Sequence, residues 1–380
     1  MIGNTNLTLD NYRDDRNNSN RDMIYVDEDG ISGTSNSSSA TLDFGSYNSC
    51  SNIIYAGLYW TGRTNSNVSE TTKRTIKIKG PGQTSYTTLT ANSSNIQYPG
   101  DDRMYAAYIE VTDIVKNCKT GEYWVADIAA TTGNGGATGY YGGWGMIVIY
   151  ENSKMKWRDV TIFDGYAYVE GETTSNDLSV SGFHTAQSGD VNIKLGLMAG
   201  EGDVGINGDY FQIKKQLDNK FLNLSHSGNA TNNFFNSSIV TGGNARNPNL
   251  TNNTGVDISM FNIPNTDKSV ITNNQTSTTF RYGSDGDTYI IFCIAMAVDA
   301  YVPEPEGINT INTIEGGTSK VLPNGVIEYK LEIRNRGTEA INNTVVTIPI
   351  PFNATYVEGS ASGLINSAYP QIQNAISYDK

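Results

Sequence analysis

The alternation of apolar and polar positions along the chain is typical of β-strands joined by turns. Residues 326–334 alternate strictly, with Ile327, Tyr329, Leu331 and Ile333 on one face and charged residues on the other. Successive side chains of a strand point to opposite faces, so this segment is predicted to be a half-buried strand.

Three other segments are apolar on both faces and are predicted to be central strands of a sandwich: residues 53–60, 144–150 and 289–298. Clusters of Gly, Asn, Ser and Asp between such runs predict turns. Helical periodicity is nearly absent, and residues 214–224 are the best candidate for one short helix. The pattern therefore predicts an all-β fold built from β-sandwiches of the jelly-roll type.

A change in pattern near residue 302 predicts a domain boundary. Residues 1–302 are predicted to form one large jelly-roll-like β-sandwich, the binding or tip domain. Residues 303–307 alternate Pro and Glu, which favours an extended linker. Residues 308–380 open a new strand pattern that is short for an immunoglobulin-like sandwich. We therefore expect a truncated domain, with more of the polypeptide to follow.

Composition and charge exclude several classes of protein. The 380 residues include 26 Lys or Arg against 39 Asp or Glu, a net charge of −13. Nucleic-acid binders and proteins of anionic membranes need basic surfaces, so neither partner is expected. Two His, 42 positions apart, cannot supply a His-rich zinc site, and three scattered Cys cannot make a four-cysteine zinc site or a dense disulfide framework. The longest apolar run is too short to span a bilayer as a helix, so no membrane insertion is expected.

Catalytic motifs are missing as well. His184 and His226 are the imidazole bases available to a nucleophile, and no G-x-S-x-G elbow accompanies them. With 39 acids, carboxylate pairs suited to glycoside hydrolysis carry no specificity. The Gly-rich stretch 133–139 leads into a strand rather than a helix, unlike a phosphate-binding loop. The sequence predicts no catalytic residue, no organic cofactor and no enzyme.

The C-terminal part resembles a known bacterial surface repeat. The motif begins with residues 321–325 (VLPNG) and the alternating strand, followed by RNRG at 334–337, NTVVTIPIP at 343–351 and ATYVEGS at 354–360. It is similar to the immunoglobulin-like repeat catalogued as "domain of unknown function 11". Asn324 precedes the Gly of the turn, and Ile350 precedes Pro351 where the family often has Leu.

The larger N-terminal part resembles the module that precedes such repeats in secreted Bacteroidetes proteins. The similar segments are residues 37–42, 54–61, 142–151, 158–166, 200–210 and 285–288. The resemblance implies export to the cell surface through type IX secretion, with a cleaved leader outside this numbering and a sorting domain downstream. It also implies surface adhesion or gliding.

Calcium is the one candidate metal ion, because it binds oxygen ligands and needs no His or Cys. Three loop clusters have a suitable composition: Asp27 with Asp29; Glu201, Asp203, Asn207 and Asp209; and Asp285 with Asp287. None matches an EF-hand loop. The alternative is that these Asp and Asn side chains shape turns by bonding to their own backbone.

Two further groups of residues have candidate roles. In an exported protein Cys50 and Cys118 are predicted to form a disulfide, with Cys293 a buried thiol; three reduced thiols are the alternative. Tyr140, Tyr141 and Trp144 surround a Gly-rich loop, where flat rings could stack on sugars, although aromatic residues at such positions more often fill a core.

These observations lead to one hypothesis and two alternatives. The hypothesis is a non-enzymatic cell-surface adhesin module at the end of a repeat stalk, binding a glycan, a protein or an abiotic surface through many weak contacts. It would adjoin further repeats of the same polypeptide, and oligomer formation is left open. The alternatives are a structural subunit of an extracellular filament or matrix, and a carbohydrate-active domain.

Overall fold

Strands are the main secondary structure among the residues that the structure describes. The computed structural model describes residues 1–98, 103–300, 302, 304–315, 320–335, 337, 341 and 344–362. The chain divides into two units, Met1–Ala340 and Ile341–Lys380. The predicted all-β class is confirmed, because the first unit consists of mainly antiparallel sheets with two short α-helices among its described residues, α1 (Glu70–Lys73) and α2 (Thr112–Cys118).

The first half of this unit is a β-sandwich of two five-stranded sheets. The strands of inner sheet 1 are, in spatial order, β1 (Ile2–Thr5), β12 (Gly142–Glu151), β5 (Asn52–Arg63), β9 (Met104–Glu110) and β8 (Ile96–Gln97). Those of outer sheet 1 are β19 (Arg246–Asn247), β4 (Ser37–Leu42), β10 (Gly121–Ala126), β6 (Thr75–Lys79) and β7 (Thr87–Thr90).

The second half is another sandwich. Inner sheet 2 has the order β13 (Arg158–Val169), β22 (Tyr289–Asp299), β15 (Ile193–Gly200), β20 (Val256–Ile263) and β18 (Ile239–Val240). Outer sheet 2 has the order β14 (Asn176–Ser181), β21 (Ser277–Gly283), β16 (Tyr210–Lys214) and β17 (Phe221–Asn223).

The two sandwiches share one topology. The strands of the two inner sheets correspond one to one, in their spatial order and in their order along the chain. In spatial order, β1, β12, β5, β9 and β8 of inner sheet 1 correspond to β13, β22, β15, β20 and β18 of inner sheet 2. The outer sheets correspond in the same way: β4, β10, β6 and β7 of the first match β14, β21, β16 and β17 of the second. One pairing differs in direction, since β8 is antiparallel to β9 whereas β18 is parallel to β20. The stretch expected to form one sandwich thus contains two sandwiches of matching topology.

The inner sheets pack against each other, which makes them apolar on both faces. On β5, Leu58 and Trp60 face the core of the first sandwich, whereas Tyr59 belongs to a separate core between the inner sheets. On β22, Ile291 faces the second sandwich and Phe292 faces inner sheet 1. The runs predicted to be central strands are β5, β12 and β22, so that prediction is confirmed.

Glycines allow the inner sheets to approach closely. Gly3 of β1 pairs with Gly145 of β12. A Cβ atom on Gly145 would lie 2.6 Å from Met198 Cε, and one on Gly3 would overlap Ile258. Gly143 is confined from both sides, because its Cβ would lie 2.7 Å from both the Asn4 carbonyl oxygen and Val256 Cγ2. Any side chain here must displace a neighbouring strand.

Shorter elements complete the first unit. A small sheet contains β11 (Gly133–Asn134), β3 (Asp22–Tyr25) and β2 (Leu7–Leu9), and a hairpin joins β23 (Pro305–Ile314) to β24 (Ile327–Asn335). The expected linker, 303–307, overlaps the start of β23, and Ile311, Tyr329 and Ile333 of the hairpin are exposed. In the second unit, the described residues 344–362 form turns and extended chain. Residues 363–380 of the expected repeat lie outside the described residues.

The helix predicted for residues 214–224 is wrong. The segment is a β-hairpin in which Gln212 pairs with Asn223, and Asn219 adopts a positive φ of 59° at the turn. Asn tolerates this left-handed conformation better than most residues do. The apolar spacing therefore came from strand residues on either side of a turn.

Gly143→Ala tests the close packing of the inner sheets. We expect it to lower the free energy of unfolding by about 1–3 kcal/mol, because the new methyl group meets backbone on one side and Val256 on the other. Gly33→Ala is the matched control, since its Cβ would meet nothing closer than 4.0 Å, and it should change stability by less than about 1 kcal/mol. Urea unfolding measures both, and equal effects would contradict the packing argument.

Candidate functional site

A groove lined by tyrosines opens between the two inner sheets. Tyr55, Tyr59, Tyr108 and Ile149 line it from inner sheet 1, and Val160, Ile162 and Asp164 line it from β13. We call it the tyrosine groove; its volume is about 380 Å³. A smaller hollow of about 90 Å³ adjoins it, shares Tyr59, Tyr108 and Asp164, and reaches Phe292.

Strand register brings the groove residues together. Tyr59 lies directly opposite Tyr108, and Tyr55 lies opposite Ile149. Tyr55 and Tyr59 are four residues apart on one strand and therefore share a face. Val160, Ile162 and Asp164 are spaced by two on β13 and share the face that looks toward them.

The three tyrosines form a contiguous group. The hydroxyl groups of Tyr55 and Tyr108 lie 2.8 Å apart, and the rings of Tyr59 and Tyr108 lie 4.8 Å apart between centroids. Tyr59 also interacts electrostatically with Tyr55 and with the buried Cys293 thiol. Burial raises the pKa of Tyr59 and Tyr108 well above the ordinary value, so both phenols stay protonated at neutral pH. The groove thus offers neutral hydroxyl groups beside flat rings.

A β-bulge sets the position of Asp164. The register between β13 and β22 shifts between Asp164 and Ala167, so that Gly165 and Tyr166 oppose the single residue Phe292. The register between β15 and β22 also shifts at Phe292. Bulges redirect side chains and are frequent beside functional sites. Here two irregularities coincide beneath the hollow, and the Asp164 side chain is exposed to solvent.

A second feature is a group of buried carboxylates, which we call the carboxylate cluster. Its members are less than 3% exposed and lie at or near the ends of strands of the second sandwich: Glu201, Asp203, Asp209, Asp257 and Asp287. Glu201 follows the end of β15, and Asp257 and Asp287 lie at or near the starts of β20 and β22. Neighbouring antiparallel strands bring these positions to one end of the sheet.

Backbone N–H groups bind several of these carboxylates. Asp203 N–H donates to Asp287 Oδ2 at 3.0 Å. Phe234 and Phe235 N–H donate to Asp209 Oδ1 at 2.6 and 2.8 Å, and Ser238 N–H donates to Asp257 Oδ1 at 3.0 Å.

Burial dominates the electrostatics of the cluster. Desolvation raises the pKa of Asp203 and of Asp209 from 3.8 to about 6, and that of Asp287 to about 9. It also raises the pKa of Glu201 and Asp257 well above their ordinary values, with the neighbouring carboxylates adding to the shift. Without a cation, the cluster therefore holds protons at pH values where exposed carboxylates are ionised.

Two of the three acidic clusters predicted from the sequence meet here. Asp203 and Asp209 lie with Asp287, whereas Asn207 and Asp285 are exposed on the same loops. The third is engaged elsewhere: Asp27 accepts from Ser37, and Asp29 accepts from Thr34 and Tyr86. Among the described residues, no three Asp, Glu, His or Cys side chains converge as metal ligands would.

Two of the three aromatic rings considered for sugar stacking, Tyr141 and Trp144, lie in the core instead. Trp144 is 1% exposed and donates from Nε1 to Ser38 Oγ at 2.9 Å inside the first sandwich. Tyr141 is fully buried between the inner sheets. Tyr140 is half-buried, with the Arg63 guanidinium 5.5 Å from its ring centroid. The Gly-rich loop places two of these rings inward because the inner sheet is covered on both faces.

The cysteines form no disulfide, and His226 is packed as a structural side chain rather than placed as a catalytic base. The predicted Cys50–Cys118 disulfide is not formed, and all three thiols are free. Cys118 packs against the first core, whereas Cys50 is exposed on a loop. His226 lies within 2.9 Å of Ser259 Oγ and stacks on Phe261, and burial lowers its pKa to about 4. A neutral, packed imidazole of this kind is a structural side chain.

Sequence reasoning missed the tyrosine groove, and it missed Asp257 in the cluster. A signal existed for each: Gly165 inside a strand is typical of a bulge, and Asp257 interrupts an apolar strand that is otherwise buried. Tyr55 and Tyr59 recur at an even spacing on a strand already predicted to be covered on both faces.

Comparisons with known proteins give distant structural likenesses. No protein-family model matches the chain, and no curated protein matches it in sequence. Among solved structures, the major capsid protein P2 of bacteriophage PM2 has 11% identity and a TM-score of 0.20, over 78% of this chain and 98% of that one.

Two further structures are similarly distant. The N-glycanase PNGase F has 14% identity and a TM-score of 0.20, over 79% of this chain and 97% of that one. The infectious bursal disease virus Gx strain structure has 11% identity and a TM-score of 0.19, over 74% and 63%. Likenesses at this level carry no argument about activity. No helix in the described residues is long and apolar enough to cross a membrane.

Stability in a metal-free buffer should fall as the pH rises from about 5 to 9. The folded state keeps protons on carboxylates that the unfolded chain releases near pH 4, so the unfolding free energy declines through this range. A shift of about two pH units, as for Asp209, corresponds to about 3 kcal/mol. Urea unfolding in EDTA measures this, and Asp209→Asn should flatten the decline whereas the exposed Asp285→Asn should not. A pH-independent stability would contradict the buried cluster.

Thiol counting tests the assignment of the cysteines. In denaturant without reductant, a thiol reagent should titrate three thiols per chain. In the native protein Cys50 should react first, because it is exposed, and Cys293 should be protected until unfolding. A count of one thiol would instead demonstrate the Cys50–Cys118 bridge.

Proposed function

We propose that this chain is a non-enzymatic binding module of a cell-surface adhesin, and that the tyrosine groove binds a neutral carbohydrate. The observation that carries the proposal is the combination in one groove of three tyrosines and the exposed Asp164. Ligand sites in proteins are concave and mostly apolar, with a few polar groups that fix orientation.

The chemistry of the lining favours sugars over other small ligands. Tyrosine rings offer flat apolar faces, and their hydroxyl groups donate and accept hydrogen bonds. The Asp164 carboxylate accepts from hydroxyl groups, and such charge-assisted bonds are stronger than neutral ones. The described residues that line the groove include no Lys, Arg or His. An anionic ligand would meet a carboxylate there and a chain of net charge −13.

Binding without chemistry fits this lining better than glycoside hydrolysis. Hydrolysis of the usual kind needs two carboxyl groups on either side of the glycosidic bond. Asp164 is the single carboxylate among the described residues that line the groove and the adjoining hollow. The adhesive role, the surface location and export through type IX secretion are expectations from the resemblance of the N-terminal part to the module that precedes surface repeats in secreted Bacteroidetes proteins.

Binding of soluble neutral oligosaccharides to the full chain tests this function. A glycan array identifies a ligand, and calorimetry measures its affinity. Asp164→Asn should weaken binding about 3- to 30-fold, because the charge-assisted hydrogen bond to the carboxylate becomes a weaker bond to a neutral amide oxygen. Tyr55→Ala should weaken binding about 2- to 10-fold through loss of ring contact.

Tyr329→Ala is the matched control, since this tyrosine is 47% exposed on the β23–β24 hairpin. It should leave the affinity unchanged. Binding that survives both groove substitutions, or no binding to any neutral glycan, would overturn the proposal. Turnover of a bound polysaccharide that Asp164→Asn abolishes would favour the carbohydrate-active alternative.

A further inference from the structure

When all its acids are ionised, the carboxylate cluster has more negative charge than one neighbouring guanidinium can balance. Five acids lie within it, and the guanidinium whose charge acts on Glu201 is that of Arg63, at the end of β5. Arg63 Nη1 donates to the Gly135 and Gly139 carbonyl oxygens, each at 2.7 Å. Buried charges are costly unless they are paired, protonated or bound to a metal ion.

Asp209 and Asp257 bind one loop from its two ends. Asp209 Oδ1 accepts from residues 234 and 235, and Asp257 Oδ1 accepts from residue 238. Each carboxylate keeps its second oxygen, Oδ2, buried without a hydrogen-bond partner. Both residues are at most 1% exposed. Buried polar atoms are almost always satisfied in native proteins, so two unsatisfied oxygens in one cluster need an explanation.

A neutral oxygen without a hydrogen-bond partner lies on the same loop. Asn233 is 7% exposed, and its Nδ2 donates to the Val204 carbonyl oxygen at 3.0 Å. Its Oδ1 is buried without a partner. Asn233 directly precedes Phe234, whose N–H donates to Asp209, so the amide is tied to the Asp209 end of the loop. Water could bond to these oxygens, but it would leave the charge unbalanced.

We propose that the carboxylate cluster binds a Ca²⁺ ion through Asp209 and Asp257, with Asn233 as a neutral ligand. Ca²⁺ accepts carboxylate, amide and backbone carbonyl oxygens in irregular geometry, whereas Mg²⁺ demands a near-ideal octahedron. Since no three acidic side chains converge among the described residues, two carboxylates and neutral oxygens suit the site better than a carboxylate cage. This proposal is independent of carbohydrate binding in the groove.

The position of the site indicates what the ion does. Ser19 Oγ donates to Asp203 Oδ2, and Gly205 N–H donates to Asn17 Oδ1, so the N-terminal loop crosses to the loops of the second sandwich here. An ion that balances this charge stabilises the contact between the two sandwiches.

Ca²⁺ titration of the full chain tests the site. Equilibrium dialysis at pH 7.5 should give one Ca²⁺ per chain. Relative to EDTA, the Tm should rise by about 4 °C at a Ca²⁺ concentration about 100 times the Kd. Equal Mg²⁺ should give a smaller rise. Binding should also release protons, because the ligands must be ionised to coordinate the ion.

Replacing Asp209 or Asp257 by Asn shows whether a Ca²⁺ ion or protons neutralise the carboxylate cluster. Asp209→Asn and Asp257→Asn keep the Oδ1 acceptor and replace an unsatisfied oxygen with an amide group. Each should raise the Tm in EDTA by removing buried charge and should abolish the Ca²⁺-dependent rise. Asp285→Asn is the matched control on an exposed carboxylate of a neighbouring loop, and it should keep the full rise.

Two results would overturn the proposal. One is a Tm and a dialysis profile that do not respond to Ca²⁺ at pH 7.5, while Asp209→Asn still raises the Tm in EDTA; the cluster would then hold protons alone. The other is a Ca²⁺-dependent rise that persists in both variants, which would place the ion elsewhere. Neither result bears on glycan binding in the groove.

Discussion

The packing of the two inner sheets against each other is the constraint on which the rest of the structure depends. A sheet that is covered on both faces must be apolar on both faces, which explains the unbroken apolar runs of β5, β12 and β22. It must also approach its neighbour closely, which Gly3 and Gly145 allow. Where the sheets separate, at the edge strand β13, the interface opens into the tyrosine groove. At the ends of the strands it gives way to the carboxylate cluster.

The matching topology of the two sandwiches gives this interface its composition. Each inner sheet contributes equivalent strands, β5 and β9 from one and β15 and β20 from the other. The two contributions are chemically unequal: inner sheet 1 brings Tyr59 and Arg63, and inner sheet 2 brings Met198 and Asp257. Function in a repeated architecture is expected where the two copies differ, since their common features serve packing. Both the groove and the cluster contain such differences.

Much of the fold could be predicted from local patterning, whereas the interface between the sandwiches could not. Strands such as β24 follow from alternation, and central strands follow from runs that are apolar on both faces. Runs that are apolar on both faces did not reveal the second sandwich. Such a run is expected for a central strand of one sandwich, and it is equally expected for a strand in a sheet that packs between two sandwich cores. Two acidic clusters were found because Asp203 and Asp287 lie in Gly-rich loops, but Asp257 was missed inside a strand. Trp144 was ambiguous, since a ring beside a Gly-rich loop fits either a platform or a core.

The groove and the cluster belong to the same interface between the inner sheets but act through different physics. Tyr55 and Arg63 are eight residues apart on β5, a separation of about 26 Å along an extended strand. The groove is open and its polar groups are satisfied by one another or by solvent, so a ligand there exchanges contacts with water and requires little rearrangement. The cluster is closed, and its charge affects the free energy of the whole interface. Because burial rather than any single partner raises the pKa of its acids, whatever neutralises them, proton or ion, must act on the stability of the fold. A ligand in the groove neutralises no buried charge and need not change the stability of the fold. Substitutions can therefore affect the groove and the cluster separately, although one interface creates both.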